Sequence, residues 1–324
     1  MERNAVISMT GQRLRRRISC LAVVTVLAFT QMCGTAVQAR PATAPVGSAC
    51  IGRFLIDALA LPASQSEYIH AGKRITTRQG LSRADFQQVL ATREAGLRGA
   101  PHRAGGAMWV GSTDVDADAV VQTSWLSDSS RAGQLQELYI FEPRHQVMYL
   151  VSGKMDATKS AAAIENLRVL RPRIHYRDPV ALPNGSGFCI DSGLIDGARI
   201  NSEELTVALQ IPGHAGARSS VMSRVVGRAD LGLLRRAAPL PVGTRRLRAS
   251  GRSVAGMAGE ELLVRDDGGY RFLWEFQGEP ESLQRPFVSL QMSTDSASVF
   301  ATDEDALQVW DQLLGSLRLR PAAN

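Results

Sequence analysis

The sequence predicts an α+β fold of two similar modules, each a mostly antiparallel sheet with packed helices. Three observations lead there. The stretch Gly187-Phe188-Cys189-Ile190-Asp191-Ser192-Gly193-Leu194-Ile195-Asp196 has a weaker copy at Cys50-Ile51-Gly52-Arg53-Phe54-Leu55-Ile56-Asp57: Cys-Ile, three variable residues, an aliphatic pair, then Asp. The run Leu167-Arg168-Val169-Leu170-Arg171-Pro172 is echoed by Leu317-Arg318-Leu319-Arg320-Pro321. Between these markers, each half mixes alternating apolar runs with capped helical stripes. A duplicated module accounts for all three.

The first forty residues have a secretory layout. Arg13 to Arg17 form a cationic region, Ile18 to Phe29 an apolar one, and Val37-Gln38-Ala39 a small-residue cleavage pattern. Residues 1–39 therefore read as a signal peptide and 40–47 as a flexible leader. The apolar run falls short of the ~20 residues that span hydrocarbon, so a retained anchor is disfavoured. A lipid anchor at Cys33 is also disfavoured, because Thr30-Gln31-Met32 makes a poor lipobox. The reading is an exported, periplasmic protein with no stable membrane insertion after cleavage.

This segment also explains the charge. The chain has 324 residues and a formal charge of +6. Its first 39 residues hold five arginines and one glutamate, so they carry four of those six charges. The basic balance is thus weak support for nucleic acid, which is not expected as a partner. Of the cysteines, Cys50 and Cys189 remain in the mature chain, at equivalent places in the two copies. An oxidising compartment permits a disulfide between them. Two small residues packed in the first strands would fit the sequence as well.

Cys50 to Leu59 reads as an apolar strand ended by Leu61-Pro62. Ser82-Arg83-Ala84-Asp85 resembles a capping box, with Phe86, Val89, Leu90 and Leu97 on one helical stripe that ends around Gly96 to Gly99. Strands follow at 117–125, 135–141 and 147–152, and Asp156 is placed to cap a helix reaching Leu170. The first module spans 48–172. Prolines 172, 179 and 183 with Gly185 then mark a linker, 173–186, that is unsuited to a central strand or helix.

The second module spans 187–322 and repeats the plan. Phe188 to Ile195 reads as a strand. Leu205, Val207, Leu209 and Ile211 alternate with polar or small residues, as a half-buried strand requires. Asp230 to Ala237 reads as a short helix. Asp266-Asp267-Gly268-Gly269 between Glu261–Val264 and Tyr270–Phe276 marks a hairpin, since Asp-Gly and Gly-Gly tolerate positive φ. After a strand at 286–292, Thr302-Asp303-Glu304-Asp305 opens the last helix, with Ala306, Val309, Trp310, Leu313, Leu314 and Leu317 on its buried face.

Within this frame no catalytic constellation emerges, and no catalytic, metal or cofactor residues are assigned. His70, His102, His145, His175 and His214 are scattered, with no helical His pair or paired-Cys spacing for zinc. Gly251-Arg252-Ser253-Val254-Ala255 lacks the last glycine of a nucleophile elbow. Asp114-Val115-Asp116-Ala117-Asp118 starts like a calcium loop but has Ala119 and Trp125 where Gly and Glu belong. Glu260 and Glu261, as strand neighbours, face opposite sides and cannot act as a dyad; one is expected to tie down a loop or an arginine and the other to face solvent. The arginines from Arg218 to Arg252 share their interval with a single acid, Asp230, and with no aromatic residue. They could form a cationic face for an acidic protein or anionic lipid, or simply a solvated face.

The second half resembles a known family. Gly187-Phe188-Cys189-Ile190, Gly256-Met257-Ala258-Gly259-Glu260-Glu261, Phe272-Leu273-Trp274-Glu275-Phe276-Gln277-Gly278, Arg285-Pro286 and Val309 to Arg318 occur in that order. Together they look like the C-terminal domain of the type VI secretion lipase-effector cognate immunity proteins, class four. Cys50 to Asp57 and Ala161 to Arg171 are similar to that family's N-terminal domain, although the turn at Gly105-Gly106 lacks the Glu-Glu that follows in the second half. The resemblance implies a periplasmic antitoxin that binds and inhibits a cognate secreted lipase, with no chemistry or cofactor of its own. It assigns no contact residues and leaves the oligomeric state open. The competing readings are a periplasmic hydrolase using Ser253 with a histidine, and a cationic envelope-associated structural protein using Arg218 to Arg252.

Overall fold

The computed structural model describes residues 47–61, 65–237 and 239–320, so the signal peptide read at 1–39 and most of the leader lie outside the described residues. The first half starts with a hairpin, β1 (Ala49–Ile51) and β2 (Phe54–Ile56), then a short strand β3 (Leu59–Ala60). A second pair follows, β4 (Ser66–His70) and β5 (Lys73–Gln79), then helix α1 (Arg83–Gly99). A four-stranded meander comes next: β6 (Trp109–Asp116), β7 (Ala119–Ser127), β8 (Ser130–Glu142) and β9 (Val147–Asp156). Helix α2 (Ser160–Leu170) and strand β10 (Ile174–Tyr176) close this half.

The second half runs through the same series. Hairpin β11 (Gly187–Ile190) and β12 (Gly193–Asp196) leads to the pair β13 (Glu204–Gln210) and β14 (Ala217–Arg224) and a single-turn helix α3 (Leu233–Arg236). The meander is β15 (Arg245–Val254), β16 (Met257–Asp266), β17 (Gly269–Phe276) and β18 (Phe287–Thr294). Helix α4 (Asp303–Ser316) and strand β19 (Arg318–Leu319) close it.

Both halves contribute to one large antiparallel sheet, ordered β15-β16-β17-β18-β14-β13-β4-β5-β9-β8-β7-β6, with β3 also pairing on β13. From the β13–β4 junction outward, each direction meets the same series of equivalent strands. At the junction, Leu205 lies opposite Tyr68 and Val207 opposite Ser66. The closing strands are exchanged: β10 of the first half pairs with β12, and β19 of the second pairs with β2. Each half therefore completes the other's hairpin, which ties the closing strand of each half to the centre.

Several elements follow directly from the residues. β13 alternates exposed Glu204, Thr206 and Gln210 with buried Leu205, Val207 and Leu209. Ser82 and Thr302 each form a reciprocal capping box with the Asp three residues on, worth about 1 kcal/mol apiece. Helix α4 buries Ala306, Trp310, Leu313 and Leu314, and the Trp310 ring meets Phe272 edge-on at 5.8 Å between centroids. Among the described residues no helix is long and apolar enough to cross a membrane.

Other elements differ from expectation. The apolar runs at Cys50 and Phe188 are two-stranded hairpins, not single strands, because Gly52 and Ser192 take left-handed φ of 53° and 51° and reverse the chain. Asp156 caps a separate 3-10 turn, Ala157–Lys159, that precedes α2. The proline-bearing passage carries β10 along the edge of a small sheet, with Pro172 in a 3-10 turn where its missing donor costs nothing.

Candidate functional site

The two hairpins meet at the centre of the molecule, and their equivalent turns are Gly52–Arg53 and Asp191–Ser192. Cys50 and Cys189 are bonded there at an S–S distance of 2.00 Å, with Cα atoms 5.9 Å apart. Beside the bridge, Gly52 N–H donates to the Cys189 carbonyl and Cys189 N–H to the Gly52 carbonyl, both at 2.9 Å. Gly52 has no room for a side chain: a Cβ there would lie 2.2 Å from Leu205 Cδ2. Arg320, from the closing end of the second half, reaches in behind the bridge. Its Nη1 lies 3.2 Å from the Cys189 sulfur and 3.6 Å from that of Cys50, and burial lowers its pKa to about 10.

The two turns carry opposite chemistry. Arg53 pairs with the buried carboxylate of Glu203 and donates to the carbonyls of Gly197 and Ala198, each at 2.9 Å. His70 Nε2 lies 3.6 Å from the same carboxylate, but burial lowers the imidazole pKa to about 4, so the ring is neutral at pH 7. At the other turn, Tyr68 Oη donates to Asp191 Oδ1 at 3.0 Å, and burial raises the Asp191 carboxyl to about 6. Ser192 is held in its left-handed conformation from three sides. Tyr149 Oη (2.7 Å) and Arg177 N–H (3.1 Å) donate to its carbonyl, and Gln79 Nε2 donates to its hydroxyl at 2.7 Å. A cavity of about 520 Å³ opens against this second turn, lined by Cys50, Tyr68, Gln79, Arg177, Asp191 and Ser192 among others.

Comparison with known proteins sets these features in a family. Residues 181–322 match the family model described as the Tle cognate immunity protein 4 C-terminal domain. The second half of the chain is thus similar to the C-terminal domain of these immunity proteins. It is similar to the apo structure of immunity protein TplEi of the type VI secretion system from Pseudomonas aeruginosa, with 29% identity and a TM-score of 0.72 over 85% of this chain and 97% of that one. It is likewise similar to a chain in the crystal structure of a Tle4–Tli4 complex, with 27% identity and a TM-score of 0.71 over 85% and 98%. A third match is TplEi complexed with an "L" peptide, with 27% identity and a TM-score of 0.67 over 86% and 100%. No curated protein matches the chain. The family and the structures it matches are immunity proteins, not enzymes.

The other residues singled out from the sequence find structural partners of their own. Ser253 lies on β15, opposite Ala258, and none of the described histidines hydrogen-bonds to it. The histidines are separately occupied. His102 meets Trp125, His145 stacks on Tyr176 with centroids 3.6 Å apart, His214 meets Phe300, and His175 Nδ1 lies 3.4 Å from Asp196. In the Asp114-to-Asp118 turn, Asp116 and Asp118 pair with Arg171 and Arg83.

The arginine-dense passage is largely matched within its own half. Arg218 pairs with Asp295, Arg236 with Glu275, Arg245 with Asp303, and both Arg248 and Arg252 with Asp311. Sequence spacing could not reveal this, because the acids lie 39 to 77 residues further on for the first three. Of the two glutamates, Glu261 is buried and meets the arginines, and Glu260 is not the solvent-facing neighbour expected: its carboxylate accepts from Leu234 N–H at 2.8 Å and holds the start of α3.

The sequence reading missed a surface on the outer meander of the first half. Arg98 lies over the Trp109 ring at 5.1 Å and Arg131 over Trp125 at 5.6 Å, while Val110 and Leu126 are 40% and 44% exposed. Half-exposed tryptophans stacked with arginines are the residue types that dominate protein interfaces.

Proposed function

We propose that this immunity protein is exported to the periplasm, where it binds a cognate type VI secreted lipase and blocks it, protecting the producer and its kin from self-intoxication. The observation that carries the reading is its likeness, over almost the full length of the matched chains, to immunity proteins, one of them in a Tle4–Tli4 complex. The structure of TplEi complexed with an "L" peptide supports recognition of a polypeptide partner. The signal-peptide layout read at 1–39 supports export, and the periplasm is where the Cys50–Cys189 bridge would form and persist. The two modules, 48–172 and 187–322, act as one platform, because a shared sheet and exchanged closing strands resist their separation. Such a platform can hold a lid shut or cover a substrate entrance without chemistry of its own.

The test is genetic. A deletion strain should be poisoned by sister cells that secrete the lipase and be rescued by the full chain, but not by a chain lacking residues 1–39. Equal survival of the deletion strain would refute the protective role, and equal rescue by the leaderless chain would refute the periplasmic site.

A further inference from the structure

The two central turns occupy equivalent places, yet only one of them has a complete ion pair. At Arg53 the guanidinium, its Glu203 partner and two carbonyls fill the space, and the remaining cavity there is about 20 Å³. At Asp191 the carboxylate accepts one hydrogen bond, from Tyr68, and among the described residues no lysine, arginine or histidine forms an ion pair with it. A carboxylate offers about four acceptor sites, so most of its capacity is unused. The nearest cation does not supply the deficit. Arg177 Nη1 is committed to the carbonyls of Asp178, Pro179 and Ala181 at 2.9, 3.1 and 2.9 Å, and its Nη2 and Nε lie near those of Ile190 and Gly193 at 3.5 and 3.4 Å.

We infer that the cavity beside Asp191 receives one basic side chain, lysine or arginine, from the lipase, whose cationic head pairs with the Asp191 carboxylate. The walls suit such a group: Ala49, Ala60, Ile190 and the Cys50 side of the disulfide give an apolar lining against which an aliphatic stem can lie. A charge-assisted hydrogen bond at the end of that stem is stronger than a neutral one. An anion would meet like charge. A purely apolar side chain would seal a carboxylate away from water with no counterion, which is strongly unfavourable. The identity of the occupant rests on the reading that the partner is a lipase.

Protonation supports the same geometry. The groups facing Asp191 are Tyr68 and the Ser66 hydroxyl from β4 and Arg177 ahead of β11, with Tyr149 from β9 on the neighbouring Ser192 carbonyl. Burial raises both tyrosines above their ordinary range and lowers Arg177, but an arginine stays cationic in mildly acidic solution. Asp191, at about 6, is therefore the member of this group that titrates in mildly acidic solution. A cation against it favours the ionised form, so docking would release a proton there and weaken as pH falls.

The experiment is calorimetric titration of the purified lipase into the mature protein and into Asp191→Asn and Ala60→Phe. Asp191→Asn keeps the shape and the Tyr68 acceptor, whereas Ala60→Phe fills the cavity without touching the carboxylate; melting curves report whether each folds. Both variants should bind about tenfold or more weakly at pH 7.5, as loss of a desolvated charge pair implies. Wild-type affinity should also fall between pH 7.5 and 5 more steeply than that of Asp191→Asn. Binding by both variants within twofold of wild type, or parallel pH profiles, would overturn the proposal. If one variant fails to fold, the other and the wild-type pH profile decide. No binding by the wild type would overturn the lipase partnership itself, and with it the occupant named here.

Discussion

Trp310 donates its indole N–H to Glu261 Oε2 at 3.0 Å, linking the closing helix to the middle of the second meander in a region shut off from water. Glu261 Oε1 lies 3.2 Å from Arg248 Nη1 and its Oε2 lies 3.4 Å from Arg252 Nη1, while both arginines also reach Asp311 on α4. The adjacent Glu-Glu of the sequence thus supplies an anchor for α4 and not an acid–base pair. Glu261→Ala strands the buried indole donor and takes away one of the two carboxylates that Arg248 and Arg252 share, and should lower unfolding free energy by about 1–3 kcal/mol. Glu261→Gln, which retains an acceptor for Trp310, should lower it less. Urea denaturation followed by tryptophan fluorescence measures both.

The disulfide closes a long loop, since Cys50 and Cys189 are 139 residues apart. Loop-closure entropy gives such a link a stabilisation of about 4–5 kcal/mol. Cys50→Ala with Cys189→Ala should therefore lower the denaturation midpoint markedly, and adding reductant to unfolded protein before refolding should produce a similar loss. An unchanged midpoint in the double variant would mean that the exchanged strands alone hold the hairpins together.

The pH dependence of stability combines two opposed groups. Burial lowers His70 from 6.5 to about 4, so it contributes stability present above pH 6.5 and lost as pH falls towards 4. Burial raises Asp191 from 3.8 to about 6, so its ionised form weakens the fold above pH 6, and stability is regained as pH falls towards 4. The two terms offset each other over nearly the same window. Asp191→Asn should be more stable than wild type at pH 7.5, by on the order of 2 kcal/mol, and should lose stability more steeply between pH 6.5 and 4. Denaturation curves at several pH values test this, and parallel profiles would contradict it.

Gly259 sits where β16 passes β17, and a Cβ there would lie 2.6 Å from the Glu275 carbonyl oxygen and 2.6 Å from the Trp274 ring. Backbone cannot yield as a flexible side-chain end can. Gly259→Ala should therefore destabilise by about 1–3 kcal/mol or more, whereas Gly251→Ala on the neighbouring edge strand, with 3.9 Å to its nearest contact, should be milder. A comparison of melting temperatures separates them.

The sequence revealed the duplicated openings and closings because those residues form the shared core, where the same geometry demands the same Cys-Ile and aliphatic-Asp pattern. Capping boxes at Ser82 and Thr302 and the alternation through Leu209 were legible because they are local signals. The pairs β4–β5 and β13–β14 were only partly legible. Strands such as Lys73–Gln79 and Ala217–Arg224 place arginines on their exposed faces and bury Thr77, Ser219 and Ser223 beside few large apolar side chains. The exchange of closing strands was not legible, because pairing between residues 54–55 and 318–319 leaves no local trace. The Asp191 cavity was hidden for the same reason: Tyr68, Gln79 and Arg177 reach it from separate elements. The partner arginines and acids of the second half likewise meet through the sheet and α4.

The measurement that tests the central claim most directly is lipase activity on phospholipid vesicles, with the cognate lipase and the purified mature protein at increasing molar ratio. Activity should fall linearly to near zero at a fixed stoichiometric ratio, and the two proteins should co-elute as one species. Full lipase activity in molar excess of the protein, with no co-elution, would contradict it.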